Sequence, residues 1–184
     1  QVGGEMYQNS LLAIGLSLFL MMIYVAFRFR MKLAVGAVVS LVHDVLFTVG
    51  AFAIFGFPFD LTVLAAVLAL IGYSLNDTIV IFDRVRENFR KLRKADAIEI
   101  VDISLTETLR RTIMTVGTVL VVVVAMLWLG GPALRWFSVA MMIGLFAGTY
   151  SSIYIATSYA LMMGLDKEDF IEKPKSELVE ETFD

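Results

Sequence analysis

Five stretches of almost unbroken apolar sequence dominate the chain, near residues 11–27, 33–55, 61–82, 112–129 and 134–163. In a window of about 19 residues, each is long enough to cross the roughly 30 Å hydrocarbon core of a bilayer as an α-helix. Strands of a β-barrel would instead show segments of about 10 residues with apolar and polar positions alternating. Residues 118–129 run almost without a polar side chain, so the pattern excludes a barrel. It predicts an all-α membrane protein, a polytopic bundle of five transmembrane helices.

Turn chemistry agrees with these limits. Gly56-Phe57-Pro58-Phe59-Asp60 supplies a glycine stop, a proline corner and an aspartate N-cap between spans two and three, and Gly130-Gly131-Pro132 repeats the stop between spans four and five. Ser104-Leu105-Thr106-Glu107 has the spacing of a capping box, which predicts that the fourth helix begins there, at the membrane surface, and enters through Arg110 and Arg111. The last span is longer than a bilayer requires, so it is expected to tilt or project. The resulting organisation is a membrane domain over 1–165, with a loop at 83–111, and an acidic tail over 166–184 whose lack of apolar pattern predicts disorder.

Composition narrows the function classes. Of 184 residues, 59% are hydrophobic and 18% charged, and five spans of roughly 20 residues leave too little sequence for a separate soluble domain. With no cysteine, disulfides, thiolate nucleophiles and cysteine metal sites are excluded, and a single histidine argues against a catalytic zinc centre. Neither an enzyme nor a bound cofactor is expected. The net charge is -3 and the basic residues lie beside the spans, which does not support nucleic-acid binding. There is no glycine-rich phosphate loop, so energy would have to come from an ion gradient or a partner ATPase.

The basic residues set an orientation. If successive loops alternate sides, 14 of the 15 Lys and Arg residues fall on one side and only Arg135 on the other. The positive-inside rule makes the first side cytoplasmic, which puts the N-terminus outside and the C-terminus inside. An odd number of spans starting outside at Gln1, without a signal-peptide pattern, leads to the expectation of a fragment lacking at least one earlier span. The cluster from Arg84 to Lys94 fits orientation and attraction to anionic lipid, with Glu87 and Lys91 spaced for a helical ion pair.

Ionisable groups at membrane depth carry the chemistry, because each costs about 2.5 to 3.5 kcal/mol at a helix centre on insertion scales. Asp77 lies in a polar interruption, Gly72-Tyr73-Ser74-Leu75-Asn76-Asp77-Thr78, of an otherwise aliphatic span. It reads as a transport or proton group, against the alternative of a carboxylate that only docks helices. Arg111 enters from the same side, and Thr115 and Thr118 follow it at four and seven residues on one helical face. Together with Asp77 they would form a polar seam, although a basic residue at a helix end also serves as an anchor. Asp44 sits near the middle of span two beside His43, but consecutive helical residues do not share a face, so they need not form a relay. Gly144, Gly148 and Ser152, and separately Gly36 with Ser40, have the small-residue spacing of tight helix packing. The last span is unusually rich in hydroxyls, including Thr149, Ser151, Ser152 and Thr157.

Ile71-Gly72-Tyr73-Ser74-Leu75-Asn76-Asp77-Thr78-Ile79-Val80, followed by Phe82-Asp83-Arg84-Val85-Arg86-Glu87-Asn88, closely resembles the signature of the SecF family of protein-export membrane subunits. Tyr24 to Phe29, His43-Asp44, Thr108 to Thr112, Gly130-Gly131-Pro132 and Gly148 to Tyr154 resemble it in order and spacing, over roughly Val2 to Leu165. The SecD/SecF family belongs to the resistance-nodulation-division superfamily, so the resemblance implies part of a six-helix repeat. Relative to that pattern the chain lacks the first transmembrane helix and the periplasmic domain. It further implies a bacterial or archaeal cell (inner) membrane location, pairing with SecD, association with the SecYEG translocon, and help for a translocating polypeptide, driven by the proton-motive force. By motif, the family's proton-flow aspartate and arginine correspond to Asp77 and Arg111.

These residues suggest a coupling scheme in which protons are the coupling ion. Desolvation favours the neutral form of a carboxyl, while an approaching guanidinium favours the ionised form, so protonation and pairing compete. Access from alternate sides would tie proton flow to a rocking motion. Two other readings stay open at this point: a proton-coupled exporter of lipids or drugs, and a non-transporting assembly subunit.

Overall fold

The computed structural model describes residues 2–92 and 94–170. Among the described residues six α-helices follow in order: α1 (Val2–Arg28), α2 (Met31–Phe55), α3 (Leu61–Lys91), α4 (Ala97–Leu129), α5 (Gly131–Tyr150) and α6 (Ala156–Met162). A π-helical turn, Ser151–Ile155, joins α5 to α6, so that Gly131–Met162 is one continuous span. Five helical segments are thus long and apolar enough to cross a membrane. The protein is an all-α polytopic bundle.

Local chemistry sets the turn between α2 and α3. Gly56 adopts φ 63° and ψ 30°, a left-handed conformation that costs glycine no Cβ clash, and the Phe57 N–H then closes onto the Phe52 carbonyl at 2.9 Å. Asp60 caps α3: its Oδ1 accepts from the N–H of Thr62 at 2.9 Å, the N–H of Val63 at 3.0 Å and the Thr62 hydroxyl at 2.6 Å. Pro132 occupies the first turn of α5, where a missing N–H costs nothing.

Two expected boundaries are revised. The segment 83–111, expected as a loop, is mostly helical, because α3 continues to Lys91 and α4 starts at Ala97. Ser104, expected near a helix start, lies inside α4 and donates to the Ile100 carbonyl at 2.6 Å. The physical reason is cross-helix pairing, which a local capping pattern does not reveal. Glu107 accepts from Arg84 Nε at 2.6 Å and from Asn88 Nδ2 at 2.8 Å, while Asn88 also reaches Ser104 at 3.0 Å. Lys91 and Glu87 form the four-residue ion pair at 2.5 Å. At 1.5 Å per residue α3 and α4 are each about 45 to 50 Å long, against a core of roughly 30 Å, so this hairpin extends beyond the hydrocarbon.

The beginning of the tail is also ordered. Phe170 is buried and stacks on Phe89 with centroids 4.7 Å apart, and Asp169 is held by Lys32 at 2.8 Å. The expected disorder therefore does not extend to Asp166–Phe170, and residues 171–184 lie outside the described residues.

The helices are layered along the bundle axis. Toward the basic end, Leu33, Ile81, Phe82, Phe89, Ile100 and Ala156 form one apolar core. Toward the other end, Phe52, Val63, Leu70, Val123, Met141 and Leu145 form a second. Between them lie the buried polar side chains of α2, α3 and the π turn. Spans α3 and α5–α6 are central, while α1 and α4 leave most of their surface uncovered.

Removing the Asp60 cap by Asp60→Ala is expected to lower stability by about 1 kcal/mol, with Asp60→Asn retaining most of it. The Thr62 hydroxyl, followed by the Val63 N–H, holds the Asp60 carboxyl below its ordinary pKa. Its ionic contribution is therefore full above the ordinary aspartate range and is lost as pH falls through the lowered value. Unfolding of wild type and Asp60→Ala in detergent across acid pH checks this: their difference should shrink toward low pH.

Candidate functional site

A carboxylate between apolar helices has to be satisfied by protein groups, since lipid tails offer no hydrogen bonds. Asp44, from the middle of α2, has 1% relative exposure. Its Oδ2 accepts from the Ser74 hydroxyl of α3 at 2.5 Å, and Ser151 of the π turn also bonds to it. His43 Nδ1 lies 3.2 Å from Asp44 Oδ1, so these consecutive residues do meet, and the ring of His43 stacks on Phe47. The side chain of His43 is 32% exposed, which makes it the outer edge of this cluster.

Hydroxyls extend the cluster across the bundle. Ser40 donates to Ser151 at 2.9 Å, and Thr78 and Ser152 hydroxyls are 2.9 Å apart. Thr48 and Thr78 turn their hydroxyls back onto the carbonyls of Asp44 and Ser74. The π turn brings Ser151 and Ser152, both fully buried, into the layer side by side. Such widened turns are frequent at functional sites. Gly148 permits the closeness: a Cβ there would stand 3.2 Å from Ser74 Oγ and 3.4 Å from Asp44 Oδ2.

Asp77 lies one turn from Ser74 on the side of α3 facing α4, with 4% relative exposure. Its Oδ1 accepts a long bond from Thr115 Oγ1 at 3.4 Å, and Thr115 also bonds the Arg111 and Thr112 carbonyls. The Tyr73 hydroxyl is buried beside Thr115 without a hydrogen bond of ordinary geometry. Arg111 is exposed and acts on Asp77 by charge attraction rather than contact. The seam expected from Arg111 through Thr115 to Thr118 is therefore only partly assembled. Thr115 meets Asp77, whereas Thr118 is exposed and bonds its own helix.

The close approaches expected from small residues fall at the same depth or nearby. A Cβ on Gly36 would collide with the Ala156 carbonyl oxygen, and one on Gly144 with the Leu70 side chain. Ser152, the third residue of that series, faces α3 as Gly144 and Gly148 do, bonding Thr78 and the Ser74 carbonyl. The Ser74, Ser40 and Ser151 contacts around Asp44 were not assigned from sequence. A four-residue polar spacing, Ser40, Asp44 and Thr48 on α2 and Ser74 and Thr78 on α3, was the available signal.

The fold and this site define a polytopic helical membrane protein with two buried aspartates in a hydroxyl-lined layer. Residues 1–166 match the family described as protein export membrane protein SecD/SecF, C-terminal, and the chain belongs to that family. It is 51% identical over 181 residues to protein translocase subunit SecF of Pseudomonas aeruginosa, covering 98% of this chain and 59% of that protein. The corresponding subunit of Vibrio alginolyticus is 49% identical over 91% of this chain and 53% of its own length. Among solved structures, SecDF of Thermus thermophilus, a translocon-associated membrane protein, superposes with a TM-score of 0.82 at 40% identity. That match covers 86% of this chain and 22% of SecDF. SecDF in a super-membrane-facing form gives 0.76 at 41% identity, over 80% and 20% of the two chains. The chain spans between half and two thirds of the length of these SecF relatives.

Gly36→Ala tests whether close approach at the layer's edge is required. Because the obstacle is backbone rather than a flexible side chain, destabilisation of about 1 to 3 kcal/mol is expected. Equilibrium unfolding of the variant in detergent, unchanged from wild type, would contradict the packing described here.

Proposed function

We propose that this chain is the membrane part of a protein-export subunit, in which proton passage through the polar layer assists translocation of secreted polypeptides. The observation that carries the reading is the burial of Asp77 at 4% exposure, with a hydroxyl partner and a nearby but unpaired Arg111. A carboxylate already locked in a tight ion pair would resist protonation. One with a weak bond and a guanidinium held in reserve has two states of comparable standing.

In the first state the Asp77 carboxyl is neutral and Arg111 stays at the bundle surface. In the second, loss of the proton draws the guanidinium inward along α4, whose flank is thinly covered. Asp44, with its hydroxyl set, supplies a second buried acid at the same level. Alternating access of the layer to the two sides then couples proton passage to helix movement. Each proton crossing 100 mV supplies about 2.3 kcal/mol, enough to shift a two-state equilibrium roughly 50-fold.

Family membership supports SecD as the pairing subunit and the SecYEG translocon as the complex served. The same reading places the protein in the bacterial or archaeal cell membrane, with the basic end of the bundle cytoplasmic. On that orientation the N-terminal end of α1 faces outward, and the ordered Phe170 lies on the cytoplasmic side.

Precursor secretion by the full-length subunit, in vesicles with an imposed proton gradient, tests the reading. Asp77→Asn keeps the size and hydrogen bonding but carries no proton, so the gradient-driven component should fall to the gradient-free level while the complex still assembles. Arg111→Lys, which keeps the charge but loses the planar fork, should impair the same component less completely. Undiminished gradient-driven secretion by Asp77→Asn would leave this aspartate a docking group.

A further inference from the structure

A cleft of about 230 Å³ opens where the C-terminal ends of α1 and α3 meet the start of α2. Among the described residues Arg28, Arg30, Arg86 and Arg90 line it, against a single carboxylate, Asp169. That carboxylate is already occupied by Lys32 at 2.8 Å, and Arg28 is occupied by Asp83 at 2.8 Å. Among the described residues, Arg30, Arg86 and Arg90 make no hydrogen bond or ion pair. The cleft therefore gathers three guanidiniums outside any ion pair, with only the Lys32-bound Asp169 carboxylate near Arg30, so positive charge is in excess unless an anion enters.

The position of the cleft says which anion. It lies where two apolar spans, Gln8–Arg28 and Met31–Phe55, meet end to end, and its lip is Phe27, which is 90% exposed. Guanidinium forks match phosphate oxygens, and an apolar lip on the membrane side matches an acyl chain. The volume is several times the roughly 30 Å³ share of one water molecule, so a phosphodiester and its glycerol carbons fit. A free phosphate would use the arginines and leave Phe27 without a role. We propose that this cleft is a binding site for the phosphate headgroup of an anionic glycerophospholipid, seated on Arg30, Arg86 and Arg90. Only the assignment to the cytoplasmic leaflet rests on the orientation proposed above.

Such a lipid would tie two helices, α2 and α3, together at one end of the bundle. The N-cap residue of α2, Arg30, and two successive turns of α3 would share one ligand. Lipid occupancy would then bias how α2 and α3 move against each other, at the end of the helices that carry Asp44 and Asp77.

Native mass spectrometry of the full-length protein in detergent, titrated with phosphatidylglycerol or phosphatidylethanolamine, tests the site without any secretion assay. Phosphatidylglycerol should be retained preferentially. At about fivefold in affinity per basic residue near a membrane surface, Arg90→Gln should weaken retention about fivefold. The triple variant Arg30→Gln, Arg86→Gln, Arg90→Gln should weaken it on the order of a hundredfold. Lys94→Gln with Arg110→Gln removes charge outside the cleft and should leave retention unchanged. Excess inorganic phosphate should not displace the lipid. Equal retention by wild type and a folded triple variant overturns the proposal, and should the triple variant misfold, equal retention by Arg90→Gln does so. Displacement by inorganic phosphate would make this a free-anion site. Retention that appears only after residues 171–184 are removed would make the chain's own acidic tail the occupant. Either result also overturns the lipid assignment.

Discussion

The Ser74 hydroxyl bonded to the Asp44 carboxylate at 2.5 Å links α2 to α3 at the depth where the bilayer offers no alternative partner. Between helices in lipid, apolar packing gains little hydrophobic free energy, because acyl chains are as apolar as Leu or Val. Specific association must come from close approach and hydrogen bonding. Both occur together at Gly148, where the missing Cβ admits Ser74 and Asp44. The two apolar cores above and below then act as seals, excluding water from a layer that would otherwise be competed away.

Asp44 and Asp77 are placed differently within that layer. Asp44 accepts a short bond from Ser74 of α3 and a second from Ser151 of the π turn, and is satisfied where it stands. Asp77 holds a single long bond from Thr115, next to a Tyr73 hydroxyl without a partner. Undersatisfaction of this kind suits the change of partner proposed for Asp77, which adjoins α4, one of the two least covered spans. The well-bonded acid therefore ties the α2, α3 and π-turn junction together, and the poorly bonded one is the group to which the proposed exchange with Arg111 is assigned.

The five spans, the Gly56 to Asp60 turn and the two acidic positions were legible in the sequence because each is a departure from, or a limit to, apolar pattern. What pattern alone could not supply was angle and partner. His43 and Asp44 point about 100° apart in an ideal helix, yet side-chain torsions bring their polar atoms within 3.2 Å. The Ser104 capping pattern was overridden by Glu107, whose contacts with Arg84 and Asn88 hold α3 and α4 together as extended helices. The π turn shifts helix register within a hydroxyl-rich run, so regular helical spacing does not anticipate Ser151 and Ser152 both facing inward. Arg111 was legible as a charge beside Asp77, but its exposed position depends on how α4 rests against the bundle.

The proposed coupling requires Asp77 to take up and release a proton within the membrane, and infrared spectroscopy observes that event directly. Full-length protein in lipid vesicles, followed while pH is stepped, should show a protonated-carboxyl stretching band that grows and fades reversibly. Part of that band should vanish in Asp77→Asn. A difference spectrum identical in wild type and Asp77→Asn would mean that this carboxyl never changes its proton, and the coupling described here would be contradicted.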